Sequence, residues 1–322
     1  MANKKVLITG ATGFVGSHLV EYILENHPDY EIHGTKRWHS QRNETAYEYP
    51  QVVYHMMELR NINNVFEVVN TIKPVKIFHL AAQSFVPTSW QAPAETLESN
   101  IIGEVNLFEA VVKTKGDPVI QIAGSSEEYG EVLPDETPIT EKNPLRPLSP
   151  YAVSKIVQDF LAYQYFKSYG LKVVRTRAFN HTGPRRGSQF VTSNFARQIA
   201  LIEAGRQTPV IMVGNLDSVR DFTDVRDIVR AYWLATEKCQ PGEIYNIASG
   251  KGIKIRDMLE ILLNLSKVKI ETKQDPARLR PSDVGVLIGD ASKFKKATGW
   301  LIEIPFEKTL EDLLNYWREQ IQ

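Results

Sequence analysis

The chain has 322 residues and a single cysteine, Cys239. An internal disulfide is therefore excluded, and so is a cysteine-rich metal site. No apolar run approaches the roughly 20 residues needed to cross a bilayer. The start, Met-Ala-Asn-Lys-Lys-Val-Leu-Ile-Thr-Gly, lacks the long apolar stretch of a secretory signal. Net charge is missing too. Lys and Arg number 38 and so do Asp and Glu, so no global field favours nucleic acid or an anionic membrane. Any phosphate must be held by local groups. Repeats and low-complexity segments are also lacking. These absences lead us to expect a soluble, cytoplasmic protein with no metal and no nucleic-acid or membrane partner. Apolar residues make up 43% of the chain and charged residues 24%, as in ordinary globular proteins. The length suits two lobes better than one core.

The segment Lys4–His27 begins with a β-prone run, Val6 to Thr9. Gly10, Gly13 and Gly16 follow, and then apolar residues at helical spacing. The pattern predicts strand, tight turn and helix. Without Cβ atoms such a turn can bring N–H groups against a pyrophosphate, where the helix N-terminus adds partial positive charge. A second strand, Tyr30 to Trp38, ends in Thr35, Lys36 and Arg37, with Arg42 beyond. An NAD site would place a carboxylate there for the ribose 2′-hydroxyl. Cations instead point to a 2′-phosphate, so NADP is expected, with NAD as the alternative. Strand patterns recur at "VVYHMMEL", "VKIFHLAAQSFV" and "PVIQIAGSS", separated by helical patterns at "NINNVFEVVNTI" and "AETLESNIIGEVNLFEAVVKT". This alternation predicts an α/β fold with a Rossmann-type, doubly wound parallel sheet. Ligands bind outside the carboxyl ends of such strands, and Ser125 lies at one of them.

From Ser149 the chain reads as a helix with Pro150 and Tyr151 at its start. Tyr151 and Lys155 lie one turn apart on one face. A neighbouring ammonium favours phenolate, so Lys155 is expected to lower the tyrosine pKa and to hold a nicotinamide ribose. Ser125, Tyr151 and Lys155 are the expected catalytic set. Glu127, two residues past the hydroxyl, could take and return protons in an elimination of water. Glu128 is expected to face elsewhere, because adjacent residues diverge.

The Gly-x-x-Gly-x-x-Gly turn and the Ser–Tyr–Lys set resemble the extended short-chain dehydrogenase/reductases, over about residues 3 to 318. Within them the chain resembles the GDP-mannose 4,6-dehydratases and the related GDP-4-keto-6-deoxymannose reductases. The run "SSEEYG" matches the dehydratases' hydroxyl-x-Glu, and "FNHTGPRRGSQFVT" their Phe-Asn-His-x-x-Pro-Arg-Arg-Gly-x-x-Phe-Val-Thr. "KRWHSQRNE" is similar to a basic loop that in that family helps bind cofactor and reaches a neighbouring subunit. The resemblance implies cofactor contacts at Gly10, Thr12, Gly13, Phe14, Val15, Arg37, Glu58, Leu59, Leu80, Ala81, Ala82, Tyr151, Lys155 and His181. It implies substrate contacts at Ser84, Asn180, Arg186, Val191 and Asn194. Asn194 stands where the family tends to have lysine. In "GNLDSVRDFTDVRD" Arg220, and in "RLRPSDVGV" Arg280 with Asp283, are implied to hold the diphosphate end. Residues 1–178 would form the NADP-binding domain, with a returning segment near 211–235, and 179–322 mainly a smaller C-terminal α/β nucleotide-sugar lobe. The implied function is a GDP-sugar 4,6-dehydratase, a homodimer or homotetramer acting on a GDP-linked hexose. Mannose is the default, with N-acetylglucosamine or a heptose as alternatives. A 4-keto reductase consuming NAD(P)H and a non-enzymatic NADP(H) sensor are the alternative readings.

Overall fold

The β-prone N-terminal run forms β1 (Lys4–Thr9), whose Val6, Leu7 and Ile8 are fully buried, as expected of a parallel strand covered on both faces by helices. The computed structural model describes residues 4–37, 47–276 and 285–321. After β1 come α1 (Phe14–Asn26), β2 (Tyr30–Lys36), β3 (Val53–Met56), α2 (Ile62–Ile72) and β4 (Lys76–His79). Asn61 caps α2 by accepting from the backbone N–H groups of Asn63 and Asn64.

The helical pattern from Ala94 to Thr114 does not run unbroken. After α3 (Val86–Gln91) it is divided into α4 (Pro93–Leu97), a π-turn over Glu98–Ile102 and α5 (Gly103–Thr114). The π-turn carries Asn100, whose fully buried amide bonds both the N–H and the carbonyl of Gln83, at 2.8 and 3.1 Å, and the Ser154 hydroxyl at 2.9 Å. These bonds compensate for the widened turn. Next come β5 (Val119–Ser125), α6 (Pro150–Tyr169) and β6 (Lys172–Ala178). The N-cap of α6 is Ser149, which accepts from Ala152 N at 3.1 Å; Pro150 fills the first turn, and Gly170 ends the helix at φ +71°.

The remainder is β7 (Asn180–Thr182), α7 (Val191–Glu203), β8 (Val210–Val213), β9 (Val219–Asp224), α8 (Val225–Lys238), β10 (Ile244–Ile247), β11 (Gly252–Lys254), α9 (Ile255–Asn264), β12 (Glu271–Gln274), β13 (Val286–Leu287), α10 (Ser292–Thr298) and α11 (Phe306–Ile321). Seven parallel strands make the large sheet in the order β10-β6-β5-β4-β1-β2-β3. The winding reverses between β1 and β4, which opens a crevice at their carboxyl ends. The segment expected to return near 211–235 rejoins this layer as α8 and then β10, while β8 and β9 stay in smaller sheets. Those sheets, β11-β9-β13 with β7 on β9 and β12-β8, lie with α7, α9 and α11 around a separate core that includes Phe195, Ile199, Leu259 and Leu314. The turn Thr298–Trp300 is packing: Trp300 is fully buried and donates to the Asp227 carbonyl at 3.0 Å. Among the described residues no helix is long and apolar enough to cross a membrane, and no His/Cys/Asp/Glu group is arranged to hold a metal.

Candidate active site

The crevice is one cavity of about 1060 Å³, lined from both sides of the winding reversal. Its floor at β1 is the glycine turn. Gly10 has φ +70°, and a Cβ there would stand 3.1 Å from the Ala81 backbone; one on Gly16 would meet the Gly10 carbonyl at 2.2 Å. The N-cap of α1 is Gly13, with no side-chain cap, so the first N–H groups of the helix are left to a ligand. Thr12, Phe14 and Val15 line this end with Gly10 and Gly13. These features make a cradle for a dinucleotide pyrophosphate.

At the carboxyl ends of β2, β3 and β4 the cavity is lined by Arg37, Glu58, Leu59, Leu80, Ala81 and Ala82. Lys36 lines it too, paired with Glu48 at 2.7 Å. Glu58 is held below the usual carboxylate range, first by its bond from Arg60 at 3.0 Å. Arg42 lies outside the described residues.

Ser125, at the end of β5, starts a tight turn over Ser126–Glu128 and accepts from Glu127 N at 3.2 Å. Glu127 lines the cavity. Glu128 turns the opposite way and is 0% exposed; it accepts from Ser125 N at 2.7 Å and from Arg177 Nε at 2.8 Å. Burial raises it to about 8, against the pull of Arg177. Tyr151 and Lys155, 8% and 4% exposed, reach the same cavity from the first turns of α6. Lys155 Nζ donates to the Ala123 carbonyl at 2.8 Å and lies 5.9 Å from the Tyr151 ring centre.

The electrostatics correct one expectation. Burial raises the Tyr151 phenol well above its ordinary pKa, with Glu127 and Glu128 adding to the rise. The opposing influences are a hydrogen bond with Ser125 and the charge of Arg186. Lys155 is itself lowered by burial, while Glu104 and Glu128 push it up.

From the other lobe, β7 brings Asn180 and His181, and α7 starts at Val191 with Asn194 one turn on. His181 Nδ1 pairs with the Phe179 carbonyl at 3.0 Å, and its ring stacks on Phe14 at 6.1 Å. Burial lowers it to about 4, so it is neutral at pH 7. The Arg186 guanidinium lies over the Phe190 ring at 3.5 Å and is lowered by burial to about 10. Asn194 donates to the Ser188 carbonyl at 3.1 Å and accepts from Gln198 at 2.7 Å. Ser84 and Arg220 also line the cavity. Arg280 and Asp283 lie outside the described residues. Sequence reasoning did not single out Phe85, Phe190 or Tyr232, which line the cavity as well. Phe190 stood in the quoted "SQFVT" run; Tyr232 reads as an ordinary apolar position of α8 and carries no signal.

A doubly wound parallel sheet, an uncapped glycine turn and a Tyr-x-x-x-Lys helix beside a strand-end serine define an extended short-chain dehydrogenase/reductase. Residues 7–313 match the model of the GDP-mannose 4,6 dehydratase family, and the chain belongs to that family. It is 31% identical to GDP-6-deoxy-D-mannose reductase of Pseudomonas aeruginosa over 99% of both chains. It is 33% identical to GDP-mannose 4,6-dehydratase of Yersinia enterocolitica, over 97% of this chain and 93% of that one. The solved structure of RMD from Pseudomonas aeruginosa complexed with NADPH superposes with a TM-score of 0.87 at 31% identity, covering 98% of this chain and 99% of the other.

Proposed function

We propose that the protein is a GDP-sugar 4,6-dehydratase that converts GDP-mannose to its 4-keto-6-deoxy derivative with loss of one water. The observation that carries this reading is Glu127, a carboxylate in the same cavity as Ser125 and Tyr151. Simple reduction or epimerisation at C4 needs only the hydroxyl and the phenol. Elimination across C5 and C6 needs a further group that can take one proton and give one back.

The glycine cradle, Arg37, Lys155 and His181 are the residues that would hold NADP. Bound there, the cofactor would store the electron pair removed at C4 and return it at C6, so that none is consumed. Tyr151 takes the O4 proton. Ser125 donates to O4 and steadies it as it becomes a carbonyl. The keto group acidifies C5–H; Glu127 removes that proton and delivers it to the departing O6, and the proton that Tyr151 took from O4 is returned at C5 once the electron pair reaches C6. His181, neutral and stacked on Phe14, presents an uncharged face to the cavity. Arg220 would meet the diphosphate from β9.

A second reading is a 4-keto reductase that consumes NADPH. It is favoured by the end-to-end match to the reductase relative, 99% of both chains. One experiment separates the two. Purified protein is incubated with GDP-mannose and no added cofactor, and the product is weighed by mass spectrometry. A dehydratase gives the loss of one water, and denaturing it releases NADP rather than NAD. No product, together with NADPH oxidation by a GDP-4-keto-6-deoxy sugar, would establish the reductase instead.

The assembly we propose is a homodimer across α5 and α6. The outer face of α6 exposes Val153, Phe160 and Tyr163, with Ile102 and Trp90 beside it.

A further inference from the structure

Behind Ser125 and Lys155, on the side away from the cavity, lies a set of charged groups that the chemistry above does not use. Glu128 joins Arg177 on β6, Arg177 joins Asp159 on α6, and Asp159 accepts from Arg175 at 2.6 Å. Glu104 on α5 is also 0% exposed and accepts from Gln158 at 2.8 Å. Counting Lys155, three cations face three carboxyl groups inside the fold.

Within this set Glu128 alone touches the turn that carries the reacting groups. One oxygen accepts the backbone N–H of Ser125 at 2.7 Å; the other is held by Arg177 at 2.8 Å. Arg177 in turn lies over the Tyr129 ring, and the Tyr129 hydroxyl donates to Asn246 at 2.7 Å. Glu128 is thus fixed from the large sheet and passes that fixity to residue 125. Gly124 permits the approach: a Cβ there would stand 2.6 Å from Glu128 Oε1 and 2.7 Å from the Thr176 carbonyl. The N-cap bond of Ser125 to Glu127 N completes a turn whose two ends are locked reciprocally.

We propose that Glu128 is a positioning residue: by accepting the Ser125 N–H it sets the Ser125 hydroxyl and aims Glu127 into the cavity. The bond needs only an oxygen lone pair, which a carboxyl in either protonation state or an amide supplies. A displacement of about 1 Å at a reacting group can cost about 100-fold in rate, so such a lock acts on turnover rather than on ligand affinity. The role rests on the proposed chemistry for its effect on rate, but not for its effect on the turn.

The test compares Glu128→Leu, Glu128→Gln and Gly124→Ala in the full-length protein. The expected result is a fall in kcat of about 10- to 100-fold for Glu128→Leu. KM and the Kd for NADP should stay close to wild type, and Glu128→Gln, whose one carbonyl oxygen can serve Ser125 N but whose NH2 cannot accept from Arg177, should recover part of the loss. Gly124→Ala, which displaces the carboxyl without removing it, should resemble Glu128→Leu and serves if that variant does not fold. Hydrogen exchange read by mass spectrometry on the peptide spanning Ser125–Tyr129 should quicken in Glu128→Leu and Gly124→Ala and distinctly less in Glu128→Gln. Unchanged exchange and kcat in folded Glu128→Leu or Gly124→Ala would overturn the proposal, and so would a Gln variant as impaired as Leu. If the wild type turns over neither GDP-mannose nor its 4-keto-6-deoxy product, the functional reading has failed, and the exchange result still decides the role of Glu128.

Discussion

Glu127 and Glu128 are neighbours of identical chemistry with opposite fates. One lines the cavity and the other is sealed behind it. The sequence foretold their divergence, since adjacent residues in a tight turn point apart. It gave no sign that Glu128 would be fully buried, because the bond from Arg177 comes from 49 residues away. Composition cannot report such a partner. Tyr151 makes the same point through electrostatics: helical spacing correctly set Lys155 one turn away, yet desolvation dominates the phenol. Two outcomes follow at this scale. Glu127→Gln should leave oxidation at C4 possible and stop elimination. Turnover should drop by about 100-fold or more, with reduced nicotinamide accumulating by its near-ultraviolet absorbance when GDP-mannose is added. Ser125→Ala should remove the hydrogen bond that holds the Tyr151 pKa down. In the proposed cycle Tyr151 works as the deprotonated base, so the rising limb of kcat/KM against pH should move to higher pH; a limb that stays in place would assign that ionisation to another group.

At the level of elements, what could be read locally was read well. The glycine turn, the strands ending at Ser125 and near Glu58, and the start of α6 at Pro150 all follow from residues within a few positions of one another. The π-turn over Glu98–Ile102 could not be read this way. It carries Asn100, which bonds Gln83 and Ser154, residues 17 and 54 positions away. Long-range bonds override a helical pattern without altering it. The glycine turn offers the clearest test of an element. At Gly16 an added methyl would lie 2.2 Å from the Gly10 carbonyl and 2.8 Å from Ala11 Cα, and both neighbours are backbone. Gly16→Ala therefore has to move the turn itself, at a cost of about 1–3 kcal/mol as for other overpacked sites. Thermal unfolding should fall by several degrees, and fluorescence titration should show weakened NADP binding. Gly205→Ala is the control: a Cβ at Gly205 would meet nothing within 4 Å, and its φ of +69° carries a backbone cost alone. It should lose some stability and keep cofactor affinity.

For the whole molecule, the order of the large sheet explains why so many distant residues reach one cavity. Strands β1, β2 and β3 run outward on one side of the reversal and β4, β5, β6 and β10 on the other, and the segments that follow β1 to β6 all contribute to the same crevice. Helix α6 stands beside that crevice, and its composition is unusual for a helix with one buried side. Tyr151, Ala162 and Tyr165 are buried, yet Val153, Phe160 and Tyr163 are exposed, Phe160 at 59%. A helix apolar on both faces is built to be covered on both, and contiguous exposed apolar surface marks an interaction site. The dimer proposed above supplies the cover with a second copy of α6. Burying one Phe contributes about 1.5–3 kcal/mol, and a two-fold axis counts each contact twice. Phe160→Glu should therefore weaken association by at least about 100-fold and shift sedimentation at micromolar concentration from dimer to monomer. Because Tyr151 and Lys155 sit on the opposite face of the same helix, loosening its outer cover should also lower kcat, with cofactor affinity less affected. A variant that sediments as the wild type would place the partner of this face elsewhere.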